Sequence, residues 1–323
     1  MTLVRTQYGT IEGEERTGHL AFRGIPFARP PVGALRFAAP EPPESWSSTR
    51  SARAFSASAM QGVSSLPGMS AAGPLDEDCL YLNVFTKAAD RGRRPVLFWI
   101  HGGAFVTGSG SMPLYDGGRL CERGDVVVVT VNYRLGALGY LYLGEHGAER
   151  MGASANVGQL DQIAALRWVR ENIAQFGGDP DNVTIFGESA GSMAVCALVV
   201  MPAAAGLFHR AIAQSGSNVA LRDGAAASKV TDALLAELGL SSEEAAKLRE
   251  LPAERIISAQ VAAARVAGAG LGFAPVVDAA TLPLQPGEAL RSGTAAQVPL
   301  VIGTNRDELN LFMAAALREL DKP

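Results

Sequence analysis

The sequence predicts an α/β domain with a mostly parallel central sheet flanked by helices, on three observations. Apolar, β-branched runs at residues 80–86, 95–101 and 126–133 lack polar alternation, as strands covered on both faces do. From residue 157 onward, helical spacing alternates with further short apolar runs, the pattern of strand, crossover helix and parallel strand. Of 323 residues, 48% are hydrophobic and 19% charged, below the roughly 25% charged of an average globular chain, so a large core can be buried.

The elements follow in order. Residues 3–27 read as short strands turning at Tyr8-Gly9-Thr10 and Thr17-Gly18-His19, and the Pro-rich stretch from Pro26 to Pro43 excludes regular structure. Residues 50–75 are small and polar without periodicity and read as a loop. Between Val157 and Phe176 apolar residues recur every three or four positions until Gly177-Gly178 stops them, which predicts a helix with a glycine end. A strand at 183–187, a helix at 190–201 ended by Pro202, and a strand at 210–214 come next. Residues 225–266 are Ala- and Leu-rich with helical spacing, two or three helices before a core strand at 298–304. The expected organisation is one domain over 1–323, with a small-strand and Pro-rich region at 1–50 and a helical insertion at 220–295.

The 28 Lys and Arg stand against 32 Asp and Glu, a net charge of −4, so no single-sign field favours nucleic acid or an anionic membrane as partner. The longest mostly apolar stretch, 193–208, contains Pro202 and Gly206 and falls short of the ~18 unbroken residues of a membrane span. The first residues show no basic and apolar leader pattern, so a cytoplasmic location is expected. Cys79, Cys121 and Cys196 are far apart and in no ligand spacing, so free thiols and no metal are expected.

The sharpest motif is Gly187-Glu188-Ser189-Ala190-Gly191, a G-x-S-x-G between an apolar strand and a helix. A serine on so sharp a turn takes a strained backbone conformation, and small residues two positions to either side let strand and helix approach. The turn lifts the Ser189 hydroxyl above the carboxyl edge of the sheet, with the Ala190 N–H beside it. A second source of backbone donors is His101-Gly102-Gly103-Ala104-Phe105 after the strand at 95–101, with the Gly103 and Ala104 N–H groups as candidates. His101 precedes the serine in the chain and reads as a brace for that loop. Gly108-Ser109-Gly110 resembles the start of a dinucleotide fingerprint, but Pro113 stands where the third glycine is required.

Together with Glu77-Asp78-Cys79-Leu80-Tyr81-Leu82-Asn83-Val84, Asn132-Tyr133-Arg134-Leu135-Gly136, Phe176-Gly177-Gly178-Asp179-Pro180 and Gly303-Thr304-Asn305-Arg306-Asp307-Glu308, these motifs resemble the type B carboxylesterases, the cholinesterase and bacterial p-nitrobenzyl esterase family. The resemblance implies an α/β-hydrolase fold, a small-molecule carboxylic ester as substrate and no cofactor or metal. It further implies Ser189 as nucleophile, Glu308 as the acid of a Ser-His-Glu triad, and Gly103, Ala104 and Ala190 as oxyanion donors. Without the family, Glu308 is one of several acids in its segment and reads as a solvated charge. Ser215 matches a serine that lies near the acid in relatives, and Ser192 stands where the family commonly has Gly.

The family's catalytic histidine follows the acid, whereas His19, His101, His146 and His209 all precede Glu308. The expectation is therefore a sheet lacking its last strand or strands and a site lacking its base, with impaired hydrolysis. The apolar strand at 298–304 would then present an open edge for self-association or for a missing C-terminal chain. Two alternatives stand beside this reading: a non-catalytic interaction protein, and a small hydrolase in which His101 or His146 serves as base.

Overall fold

Three N-terminal strands, β1 (Thr2–Arg5), β2 (Thr10–Arg16) and β3 (His19–Pro26), form an antiparallel meander in the computed structural model. The structure describes residues 2–64, 71, 73–144, 151, 153–217, 221–267, 271–308 and 310. The Pro-rich stretch is irregular but for a 3₁₀ turn at Gly33–Leu35, and the loop after it holds only two-residue strands, β4 (Arg50–Ser51), β5 (Ser58–Ala59) and β6 (Leu75–Asp76). There follow β7 (Tyr81–Thr86), β8 (Arg94–Ile100), α1 (Gly118–Gly124), β9 (Val127–Val131), α2 (Gly136–Tyr140), α3 (Val157–Asn172), β10 (Gly178–Glu188), α4 (Ala190–Val200) and β11 (Arg210–Gln214). After these come α5 (Gly224–Leu238), a 3₁₀ helix at Ser242–Arg249, α6 (Ala253–Ala264), α7 (Pro286–Ser292) and β12 (Leu300–Gly303).

The main sheet runs β1-β2-β3-β7-β9-β8-β10-β11-β12, with β4 beside β2. From β9 to β12 every pairing is parallel, because helices carry the chain back between strands. The half from β1 to β7 is antiparallel and joins the rest through β7 and β9. The fold is thus the expected α/β-hydrolase arrangement, with an antiparallel N-terminal wing.

The register explains where the core lies. Val84, Val129, Phe98, Ile185 and Ala211 are successive cross-strand neighbours, as are Leu82, Val131, Ile100, Gly187 and Ala213. Their eight Val, Leu, Ile, Phe and Ala neighbours other than Gly187 and Ala213 are 0–1% exposed, so two apolar rows cross the middle of the sheet. On the other face Ala21, Phe85 and Val128 pack with Cys121 of α1. α3 runs into a 3₁₀ turn at Ile173–Phe176 and stops at Gly177. α5 begins under an Asp223 cap, whose carboxylate accepts the Ala226 N–H at 2.7 Å.

A buried ion pair fixes α3 to the loop after β9. Arg134 Nη2 lies 2.6 Å from Asp161 Oδ1, and Nε and the Arg134 N–H donate to Oδ2 at 2.8 and 3.0 Å. Arg134 Nη1 also donates to the Ala38 carbonyl at 2.8 Å, which ties in the Pro-rich segment. Arg36 does the same between Glu77, through Nε at 2.7 Å, and the carbonyls of Leu248 and Leu251, at 2.9 and 2.6 Å.

β12 ends the sheet, where the sequence led to an open apolar edge. Its only partner among the described residues is β11, and Leu300, Val301 and Ile302 are 39%, 63% and 53% exposed, on both faces of the sheet. It is an edge strand. No helix among the described residues is long and apolar enough to cross a membrane.

Removing one partner of a buried charge pair leaves the other uncompensated, at a cost of about 3–5 kcal/mol. Asp161→Asn should therefore shift the urea unfolding midpoint sharply downward, whereas neutralising the exposed Asp181 should leave it nearly unchanged.

Candidate active site

β10 and α4 meet at Ser189, whose φ of 56° and ψ of −122° lie in a region that residues with a Cβ rarely adopt. Two backbone hydrogen bonds hold the turn. The Ser189 N–H donates to the Gln214 carbonyl of β11, and the Met193 N–H to the Ser189 carbonyl, both at 3.0 Å. Glycine is required on each side: a Cβ on Gly187 would come within 2.5 Å of the Gly191 carbonyl carbon, and one on Gly191 would enter the Ile100 carbonyl. Ser189 is partly exposed at the carboxyl edge of the sheet.

The loop after β8 closes on this turn. A Cβ on Gly102 would sit 2.7 Å from the Glu188 carbonyl oxygen and 3.2 Å from Ser189 Cβ, so the two segments are in contact. Gly103 (φ 113°), Ala104 (φ 54°) and Phe105 (φ 60°) take positive φ in succession, and the Gly103 carbonyl accepts the N–H groups of Val106 and Thr107, both at 3.0 Å. The loop is pinned at its far end by the Gly136 N–H on the Phe105 carbonyl at 2.7 Å and by Gln61, which both accepts from and donates to Gly108 at 2.8 Å. The N–H groups of Gly103, Ala104 and Ala190 make no hydrogen bond among the described residues, and Gly103 and Ala104 are partly exposed. They are free to receive an oxygen from outside the chain.

His101 lies beneath this loop. Its Nδ1–H donates to the Gly102 carbonyl at 2.8 Å, its ring stacks on Tyr133 at 4.5 Å, and the Tyr133 hydroxyl donates to the His101 carbonyl at 2.7 Å. Burial holds the imidazole neutral by pushing its pKa down to about 4. His209 sits at the other end of β10, where it accepts the Val183 N–H through Nδ1 at 3.1 Å and returns its own N–H to the Val183 carbonyl at 2.8 Å. His19 bonds Glu122 on the outer wing. His146 lies outside the described residues. None of the described histidines makes a hydrogen bond with the Ser189 hydroxyl.

Glu308 follows β12 on the same edge. Its Oε2 accepts the Ser215 hydroxyl at 3.1 Å and the Asn305 N–H at 2.6 Å. Ser215 itself is at φ 54°, and its N–H donates to the Gly303 carbonyl at 2.8 Å. Gly216 is wedged against the elbow, since a Cβ there would lie 2.9 Å from both the Ser189 carbonyl carbon and Ser192 Cβ. Ser192 is fully buried, and its hydroxyl has no partner among the described residues.

The fold therefore gathers the five residues singled out in the sequence, Ser189, Glu308, Gly103, Ala104 and Ala190, at the ends of β8, β10 and β12. Sequence reasoning passed over Glu188. Its carboxyl is half-buried and its pKa is raised, first by burial and then by the negative charge of Glu308. Tyr115 is raised by burial and by Glu188 in turn, and its ring packs on Trp99 at 5.0 Å, with Phe186 on the other side of Trp99 at 4.8 Å. The one sequence signal for Glu188 was its place inside the G-x-S-x-G. Among the described residues no group of three or more His, Cys, Asp and Glu is placed to hold a metal ion.

The model of the carboxylesterase family matches residues 1–323. The para-nitrobenzyl esterase of Bacillus subtilis is 46% identical over 320 residues, covering 96% of this chain and 63% of that protein. The cocaine esterase of Homo sapiens is 42% identical over 321 residues, covering 94% of this chain and 55% of that protein. The crystal structure of a Geobacillus stearothermophilus carboxylesterase superposes with a TM-score of 0.90 at 46% identity, over 100% of this chain and 65% of that one. The chain thus spans between half and two thirds of the length of these relatives.

The His101 environment makes stability depend on pH. Its folded pKa is depressed, so between about 6.5 and about 4 the unfolded chain takes up a proton that the folded chain refuses. The contribution is complete above the unfolded value and is lost as pH falls through this window, by on the order of 3 kcal/mol. Urea unfolding of the wild type and of His101→Gln at pH 7 and pH 4 should show a markedly smaller pH dependence in the variant.

Proposed function

Because the chain belongs to the carboxylesterase family, we propose that it hydrolyses carboxylic esters through an acyl-enzyme on Ser189. The observation that carries this reading is the strained Ser189 turn, in contact with a loop whose Gly103 and Ala104 N–H groups, like that of Ala190, are unpartnered. Ser189 Oγ attacks the ester carbonyl, the carbonyl oxygen becomes negative, and those three N–H groups stabilise it in place of water. The carbonyl re-forms as the alcohol leaves with a proton. Water then attacks the acyl-serine, and the acid departs through the same oxyanion site. Glu308, held by Ser215 and Asn305, would orient an imidazole and stabilise it once protonated, without itself accepting the proton.

That imidazole is the one component of the triad for which residues 1–323 offer no candidate of matching order. His101 faces the underside of the loop and His209 the far end of β10, so we place the general base outside this sequence. Loss of the base in a serine hydrolase costs on the order of 10⁶ in turnover. Its natural route in is alongside β12, whose outer edge is unpaired among the described residues and is apolar on both faces. A further strand there, from a second copy or from another polypeptide segment, would complete the sheet. A purely non-catalytic role gives no physical reason to retain the strained serine turn.

Residues 1–323 should react slowly with a fluorophosphonate at Ser189 and hydrolyse p-nitrophenyl acetate near the background rate. Ser189→Ala should abolish labelling, and Gly103→Pro, which removes one of the proposed N–H donors, should reduce it by about 10²–10³-fold. Rapid turnover lost in His101→Gln or His146→Gln would overturn the placement of the base.

The open edge should also be measurable. Val301→Lys with Ile302→Lys should lower the apparent mass of the chain in sedimentation at high concentration, or raise its solubility, while leaving unfolding nearly unchanged because both positions are exposed.

A further inference from the structure

A cleft between the Pro-rich segment and the start of β7 has no part in the reaction above. It measures about 510 Å³, within the ~300–1,000 Å³ of small-ligand sites, and Pro26, Pro30, Pro43 and Val32 give it an apolar wall. Proline rings fix φ, so this wall is preformed and loses little freedom on binding.

The charges around it fall into two kinds. Arg29 is already neutralised by Glu41 at 2.8 Å and by Glu44 at 3.8 Å. Asp78 and Arg50 are not neutralised. Asp78 is half-buried, accepts the Tyr81 hydroxyl through Oδ2 at 3.0 Å, and has no hydrogen bond to Oδ1 among the described residues. Burial and then the nearby charge of Asp76 raise its carboxyl pKa, while the Tyr81 hydroxyl and, less, Arg50 counter that in part, Arg50 without forming an ion pair with it. The Arg50 guanidinium rests on the Trp46 ring at 5.0 Å and pairs with no carboxylate among the described residues.

One cleft therefore holds an anion and a cation that are near each other, unbonded, and joined by an apolar wall. A purely cationic ligand would meet Arg50, and a purely anionic one Asp78. We propose that the cleft binds a small zwitterion with an apolar body, an α-amino acid or short peptide, with its ammonium on Asp78 and Tyr81 and its carboxylate on Arg50. The site is separate from Ser189 but opens on the same edge of the sheet. The Asn132 N–H, just past the end of β9, donates to the Tyr81 carbonyl at 3.0 Å, and β9 and β8 stand between β7 and β10, which puts about three strand spacings, or about 14 Å, between the two.

Ligand-observed NMR titration of residues 1–323 with L-phenylalanine, its amide and its N-acetyl derivative tests this. The expected result is saturable binding of phenylalanine in the millimolar range, with each blocked derivative at least tenfold weaker. Arg50→Gln should erase the preference over the amide, and Asp78→Asn the preference over the N-acetyl compound, a pair of selective effects that misfolding cannot produce. Ser189→Ala should bind as the wild type does, so the outcome is independent of the esterase reading. No saturable binding, equal binding of the three compounds, or loss of binding in Ser189→Ala would overturn the proposal.

Discussion

The candidate site depends on three glycines that let backbone touch backbone. Gly187 and Gly191 bring the first turn of α4 against the Ile100 carbonyl at the end of β8, and Gly102 lets the next loop lie on Glu188 and Ser189. The apolar row Leu82–Val131–Ile100 is interrupted at Gly187 because helix rather than side chain fills the space there. A methyl group at any of the three would push α4 and the loop apart. The Ala190 N–H, the Gly103 N–H and the Ser189 hydroxyl would then lose the mutual placement that the proposed reaction requires.

Electrostatics at this edge has one sign. The negative charge of Glu308 adds to the cost of ionising Glu188, and no cation figures among the groups that shift Glu188. An imidazolium formed beside Glu308 during acyl transfer would relieve that repulsion at the moment it arises. In the proposed reaction the unpartnered N–H groups would serve the opposite end of the same charge separation, where the oxyanion would form. The loop at Gly103 and Ala104 is held by backbone and Gln61 bonds, and Glu308 by the Ser215 hydroxyl and the Asn305 N–H. The proton acceptor proposed to join them is a side chain.

Much of this was legible in the sequence, for reasons that can be named. The strand at 210–214 and the helix after Ser189 lie where periodicity and Pro202 put them, because both are buried by local pattern. The antiparallel pairing of β7 with β9 was not readable, since a doubly covered strand looks the same in either direction. β12 has the composition of a core strand, and its exposure depends on what stands beside it, which composition does not encode. Asp161 is the clearest omission. A carboxylate in a helix reads as a solvated charge until the chain folds Arg134 onto it. Ser192 remains discordant: its buried hydroxyl has no partner among the described residues, which lowers stability, and nothing in the structure explains its retention.

Strain is distributed in the same way as the proposed chemistry. Of the non-glycine residues with positive φ, Ala104, Phe105, Ser189 and Ser215 lie together in the segments that meet at this edge, while Phe37, Arg93 and Asp125 are scattered elsewhere. Each such conformation costs of order 1–3 kcal/mol and persists only where neighbours over-determine it. Here they do: Ser189 is tied to Gln214 and Met193, Ser215 to Gly303, and Phe105 to Gly136. Gly136 lies two residues from Arg134, whose pair with Asp161 is the most buried ion pair among the described residues. A fold selected only to present a surface would relax these four residues. Their joint persistence is the physical argument that the edge is organised around a reaction.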